Sequence, residues 1–138
     1  MSKIKILVSY HDKHRLLKSD ILTPIQTGSA MAKKRFTGML QDDDGENISL
    51  KNPKYAELSA QYWAWKNYDK LGNPDYIGFM HYRRHFILAN NFKPPVLDAP
   101  IENCYQIVYV KKMGRTYLQD IGLTDENIER EVPQYDCI

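Results

Sequence analysis

At 138 residues, 43% hydrophobic and 26% charged, the chain has the length and composition of one soluble domain with one core. Lys and Arg total 19 against 17 Asp and Glu, for a net charge of +2 with no long single-sign block, so nothing calls for nucleic acid or an anionic membrane as partner. Cys104 and Cys137 are too few for a disulfide framework or a zinc site, which fits a reduced cytoplasmic setting. No apolar run approaches the ~20 residues of a membrane span, and the opening Met1–Val8 is too short for a signal peptide.

The first element is a strand from Lys3 to Tyr10, apolar at Ile4, Ile6, Leu7 and Val8, with a polar exit through Ser9-Tyr10-His11-Asp12. Ligands of open α/β sheets bind beyond the carboxyl ends of strands, so Ser9, Tyr10 and His11 are candidate contacts; a solvated loop is the alternative. Residues 15–33 show no clean period, and Pro24 breaks any helix passing through them. The small-residue segment Ile25–Ala32 lacks the spaced glycines of a dinucleotide fingerprint and the Gly-Lys-Ser/Thr of a phosphate loop. Gln41–Ser49 is an acidic turn: Asp42, Asp43 and Asp44 offer oxygen ligands to Mg²⁺ or Mn²⁺, or form an exposed acidic loop without metal.

A helix is expected next, with Asn52 as N-cap, Pro53 at the first helical position and an end near Asn67–Lys70. Tyr55, Leu58, Tyr62 and Trp65 mark its apolar stripe, widened by Ala56, Ala60 and Trp63. Glu57, in the first turn, complements the helix dipole or acts as a functional carboxylate. Gly72 and Pro74 stop the helix, and Asp75–Phe86 reads as a buried strand leaving through His81-Tyr82-Arg83-Arg84-His85. Two planar guanidinium forks at a strand exit suit a diphosphate. Adjacent strand residues point to opposite faces, so both arginines reach one ligand only if the chain turns there; otherwise one pairs internally. His81 and His85, on one side of a strand, read as hydrogen-bonded structure rather than a metal pair. Further on come a loop at Asn90–Pro95, a strand at Tyr105–Val110, a basic turn at Lys111–Arg115, and a short helix from Asp125 to Glu131 capped by Thr124 and ended by Pro133. The final Tyr135–Ile138 looks like the opening of another strand, the expectation being a longer protein cut short.

Three blocks carry a resemblance: Lys18–Gly28; Asp43–Ser49 followed by Lys51–Asn67; and Asp75–Phe86. Together they resemble the N-terminal part of bacterial capsular and exopolysaccharide biosynthesis proteins that carry a glycosyltransferase domain long labelled as of unknown function. The match is good over residues 3–88 and loose beyond. The resemblance implies a GT-A-like, Rossmann-related α/β sheet with flanking helices, a single donor-binding domain over residues 1–138, incomplete at its C-terminus. It implies transfer of a sugar from a nucleotide-sugar, taken as a UDP-sugar, to a glycan or lipid-linked glycan, at the inner face of the plasma membrane with at most peripheral association. The alternative is a non-catalytic nucleotide-sugar-binding or assembly subunit. Carried onto this chain, the candidate donor-binding residues are Ser9, Tyr10, His11, Asn47, Asn52, Glu57, His81, Tyr82, Arg83 and Arg84; Asp43 and Asp44 are the candidate metal ligands for Mn²⁺ or Mg²⁺; no catalytic base is assigned.

Overall fold

The computed structural model describes residues 1–92, 110 and 112–137. Four strands form one sheet: β1 (Ile4–Tyr10), β2 (Leu22–Gln26), β3 (Leu40–Gln41) and β4 (Tyr76–His81), in the order β3-β2-β1-β4. All pairs are parallel, with Ser9 opposite both Ile25 and His81. This is the α/β sheet expected from the sequence. β1 is central because its side chains serve both faces: Ile4, Ile6, Val8 and Tyr10 enter one apolar cluster, and Leu7 enters the other. The first cluster is closed by Ile121, Leu123 and Ile128 from the C-terminal segment, the second by Ala60, Trp63 and Ala64 from a helix.

β2 contains Pro24, the residue that excluded a helix there. The ladder explains its tolerance. Ile6 donates to the Ile21 carbonyl and the Thr27 amide donates to the Tyr10 carbonyl, so the amides of odd-numbered β2 residues face β1. Pro24 therefore turns its missing donor toward β3, which begins only opposite Ile25. No ladder bond is lost.

The expected long helix is two pieces, α1 (Asn52–Tyr55) and α2 (Leu58–Lys66), broken at Ala56 with φ 47° and ψ −128°. Lys51, not Asn52, takes the cap position, and the Asn52 amide closes the break by donating to the Ala56 carbonyl and to Ser59 Oγ. Of the expected apolar arc, Ala60 and Trp63 are the fully buried members. Ser59, Ala60, Trp63 and Ala64 face the sheet, whereas Leu58 is 52% and Trp65 68% exposed, with Tyr55 and Leu50 exposed nearby. Small residues let the helix approach the sheet closely, with Trp63 as the single large anchor, its indole N–H donating 2.7 Å to the Asp44 carbonyl. Trp65 instead lies beneath Lys66 Nζ, 4.0 Å from its ring centre.

The acidic turn is tied down carboxylate by carboxylate. Asp42 is fully buried and accepts from the amides of Gly28 (2.8 Å) and Ser29 (2.9 Å) and the hydroxyls of Ser49 (2.6 Å) and Ser59 (2.7 Å). Gly28 is left-handed at φ 67°, and a Cβ there would meet Asn52 Oδ1 at 2.9 Å, so only glycine presents the paired amides. The Asn67 amide then bridges the Glu46 carbonyl to α2.

α3 (Tyr117–Asp120) and α4 (Asp125–Glu131) complete the described chain; Thr124 caps α4 from its side chain, as expected. The expected loop at Pro94–Pro95 and all of the Tyr105–Val110 strand except Val110 lie outside the described residues, as do Cys104, Lys111 and Ile138.

Two outcomes test this arrangement in chemical denaturation. Trp63→Ala should cost about 3–5 kcal/mol and Trp65→Ala less than about 1, the reverse of what an apolar stripe through Trp65 demands. Asp42→Ala, which strands the buried donors of Gly28, Ser29, Ser49 and Ser59, should cost on the order of 3 kcal/mol or more; a loss below about 1 would deny the cage its structural role.

Candidate functional site

Because the strands are parallel, their carboxyl ends share one edge, and the exits of β1 and β4 lie side by side there. β4 stops at His81 and the chain turns at once. His81 N–H donates to the Arg84 carbonyl and Arg84 N–H to the His81 carbonyl, while Tyr82 N–H holds the turn to the Ser9 carbonyl. This turn is the circumstance under which both arginines can serve one ligand. Neither guanidinium forms an ion pair or hydrogen bond among the described residues; both are exposed, and Arg83 lies 5.2 Å from the Tyr82 ring centre.

Beside the turn is a crevice of about 360 Å³. Ser9, Glu57, Gln61, His81, Arg84 and His85 form its polar wall, and Phe79, Met80 and Phe86 its apolar part. His81 is nearly buried; its Nδ1 accepts from Arg83 N–H at 3.1 Å, so the neutral ring carries its proton on Nε2, which sits 3.7 Å from Glu57 Oε1. Burial pushes this imidazole below the ordinary histidine range; Glu57 pulls it partly back, and His11, Arg83 and Arg84 push it further down. His85 bonds the Tyr82 carbonyl through Nε2 (2.9 Å) and the Tyr117 hydroxyl through Nδ1 (2.8 Å), and burial lowers it too, with His14 adding to the effect and the Tyr82 carbonyl opposing it.

The four histidines, two from each of two distant segments, gather around one buried tyrosine. The ring centres of His81, His14 and His11 lie 4.3, 5.1 and 5.2 Å from that of Tyr82, and His85 bonds its carbonyl.

Of the residues singled out from the sequence, Ser9, Glu57, His81 and Arg84 line the crevice, with His11 and Arg83 next to it. Tyr10 and Tyr82 are corrected: they stack on each other (5.3 Å, 17°), both buried, and Tyr10 is held further by Leu17 N–H and the Arg15 carbonyl, so neither offers an open face to a base. Trp63 is core for the same reason. Asn47 and Asn52 do not line the crevice; Asn47 closes the acidic turn through the Asp43 and Gly45 carbonyls and Ser49 N–H, and Asn52 closes the helix break.

The carboxylates of the acidic turn do not converge. Asp43 is gripped by Arg35, which holds its carboxyl below the usual range, and Asp44 pairs with Lys70 at 3.1 Å. Among the described residues no group of three or more His, Cys, Asp or Glu is placed to hold a metal ion, and Asp43 and Asp44 each face a cationic side chain, Arg35 and Lys70. Gln61, His85 and Phe86 were not named as ligand contacts from the sequence. The position of Gln61 one helical turn after Glu57 was the available signal; the other two follow the turn, which reverses what a continued strand would have done with them.

The parallel α/β fold of this chain is glycosyltransferase-like, being similar to that of a solved structure. That structure is WbbM, described as a bifunctional glycosyltransferase in its apo form, with TM-score 0.74 and 35% identity. The match covers 93% of this chain but 21% of WbbM, so the chain spans about a fifth of that protein's length. Residues 5–138 match the family described as the domain of unknown function DUF4422, and the chain belongs to that family. No curated protein sequence matches it. No helix among the described residues is long and apolar enough to cross a membrane.

His81 and His85 bind protons more weakly folded than unfolded, where histidine titrates near ~6.5. Below that pH the unfolded chain holds more protons, so stability should fall as pH drops from about 7 toward the depressed folded values, and be complete above the unfolded value. Imidazole NMR should place both midpoints below the ordinary range, and Glu57→Gln should move that of His81 lower still. An unmoved His81 would break its pairing with Glu57.

Proposed function

We propose that this chain provides the donor-handling part of a glycosyltransferase that moves a sugar from a nucleotide-sugar, a UDP-sugar in the first instance, to a glycan or lipid-linked glycan of a bacterial surface polysaccharide. Its family membership and its likeness to a protein titled a glycosyltransferase support this reading. The observation that carries it is the turn at His81–Arg84, which holds two exposed guanidinium groups, without an ion pair or hydrogen bond among the described residues, at the carboxyl edge of the sheet.

In such a transfer the acceptor hydroxyl attacks the sugar's anomeric carbon and gives up its proton to a base or to solvent, the bond from that carbon to the diphosphate oxygen breaks, and the nucleoside diphosphate departs with the electron pair. Negative charge grows on the departing oxygen, and fixed cations lower the barrier most where they meet that charge. Arg83 and Arg84 fill this role through paired N–H donors. The donor and the acceptor both belong to the cytoplasmic face, with the protein at most peripheral to the membrane.

Calorimetric titration with UDP, with and without Mn²⁺ or Mg²⁺, tests the site. Losing one charge-assisted contact is worth roughly 1.5–3 kcal/mol, so Arg83→Ala and Arg84→Ala should each weaken binding about 10- to 100-fold. Both side chains are exposed, so stability should change by less than about 1 kcal/mol. Equal UDP affinity in wild type and both variants sinks the proposal.

A further inference from the structure

The crevice beside the turn has a chemistry different from the turn itself. Among its lining residues Glu57 is the one carboxylate, and a carboxylate repels phosphate. Glu57, the cap residue of α2, and Gln61 lie one turn apart and so share a face. The Gln61 side chain makes no hydrogen bond among the described residues, and Glu57 has only the 3.7 Å approach of His81. An acceptor-only carboxylate, an amide that both donates and accepts, and the neutral His81 Nε2–H thus stand with capacity to bond hydroxyl groups, which themselves donate and accept. Phe86, 40% exposed, adds an apolar ring to the same wall. At about 360 Å³ the space lies near the lower end of small-molecule sites, room for one sugar ring rather than a whole nucleotide-sugar.

We propose that this crevice is a pyranose subsite, in which Glu57 and Gln61 hold ring hydroxyls, His81 donates from Nε2, and Phe86 covers the C–H face of the sugar. Arg84, which lines the same crevice, marks the end at which a phosphate joins the ring. The assignment rests on the donor-handling reading for that last point only. The hydroxyl-rich ring is neutral, and this is why Glu57 accepts it where it would reject a diphosphate.

Saturation-transfer NMR on the full 138-residue chain with millimolar methyl glucopyranoside, galactopyranoside and mannopyranoside tests this directly. At least one glycoside should receive saturation, and Glu57→Gln and Gln61→Ala should each reduce the signal several-fold with unchanged thermal midpoints. No transfer to any of the three glycosides, or transfer undiminished in both variants, overturns the subsite. A UDP-hexose that displaces the glycoside assigns the crevice to the donor sugar; one that binds alongside it assigns the crevice to the acceptor. UDP binding without glycoside binding removes the subsite and leaves the donor site standing, whereas glycoside binding without UDP binding does the reverse.

Discussion

The arrangement depends on one buried carboxylate. Asp42 is fully buried with, among the described residues, no bonded cation; it is satisfied by two amides and two hydroxyls drawn from three separate stretches of chain. A charge in that position is costly unless every lone pair is met, so the loop after β2, the turn before α1 and the start of α2 have to come together for any of them to be stable. The consequence reaches the crevice. Ser59 is two residues from Glu57, and the bond from Ser59 to Asp42 fixes the end of α2 that carries Glu57 and Gln61.

A second constraint acts from the other side of the crevice. His81 closes the last register position of β4 against Ser9, and the turn that follows is pinned both to itself and to β1. The histidine ring is thereby locked with Nδ1 occupied and Nε2 directed toward Glu57. Between α2 and this turn the sheet edge holds two chemistries side by side: cationic and open at Arg83 and Arg84, mixed polar and apolar at Glu57, Gln61 and Phe86. A ligand with a charged end and a hydroxyl-rich end complements that division. Ala56 bears a cost for it, since a non-glycine residue at φ 47° and ψ −128° is strained by about 1–2 kcal/mol and sits where the helix is redirected just before Glu57.

The acidic turn and the aromatic stripe show how the same residues can be legible in kind and misread in role. Three successive aspartates suggested oxygen ligands, but the chain sends them to a buried cage, to Arg35 and to Lys70. Tyr55, Leu58, Tyr62 and Trp65 have helical spacing, but the sheet requires small residues for close approach, so the helix turns Ser59, Ala60 and Ala64 inward and leaves the large ones outside. Pro24, which excluded a helix, is harmless in a strand whose neighbour on that side is only two residues long.

β1, β4, the capped C-terminal helix and the cationic exit at Arg83 and Arg84 were legible in the chain because each is a local property: a run of apolar residues, a capping threonine, a pair of adjacent charges. Which way α2 faces, where Asp42 goes, that Tyr10 and Tyr82 stack on each other, and that Glu57, Gln61 and His81 line one crevice were settled only in three dimensions. Those are contacts between segments tens of residues apart. They are settled by close packing and by the cost of leaving a buried charge or donor unpartnered, and neither leaves a local pattern in the chain.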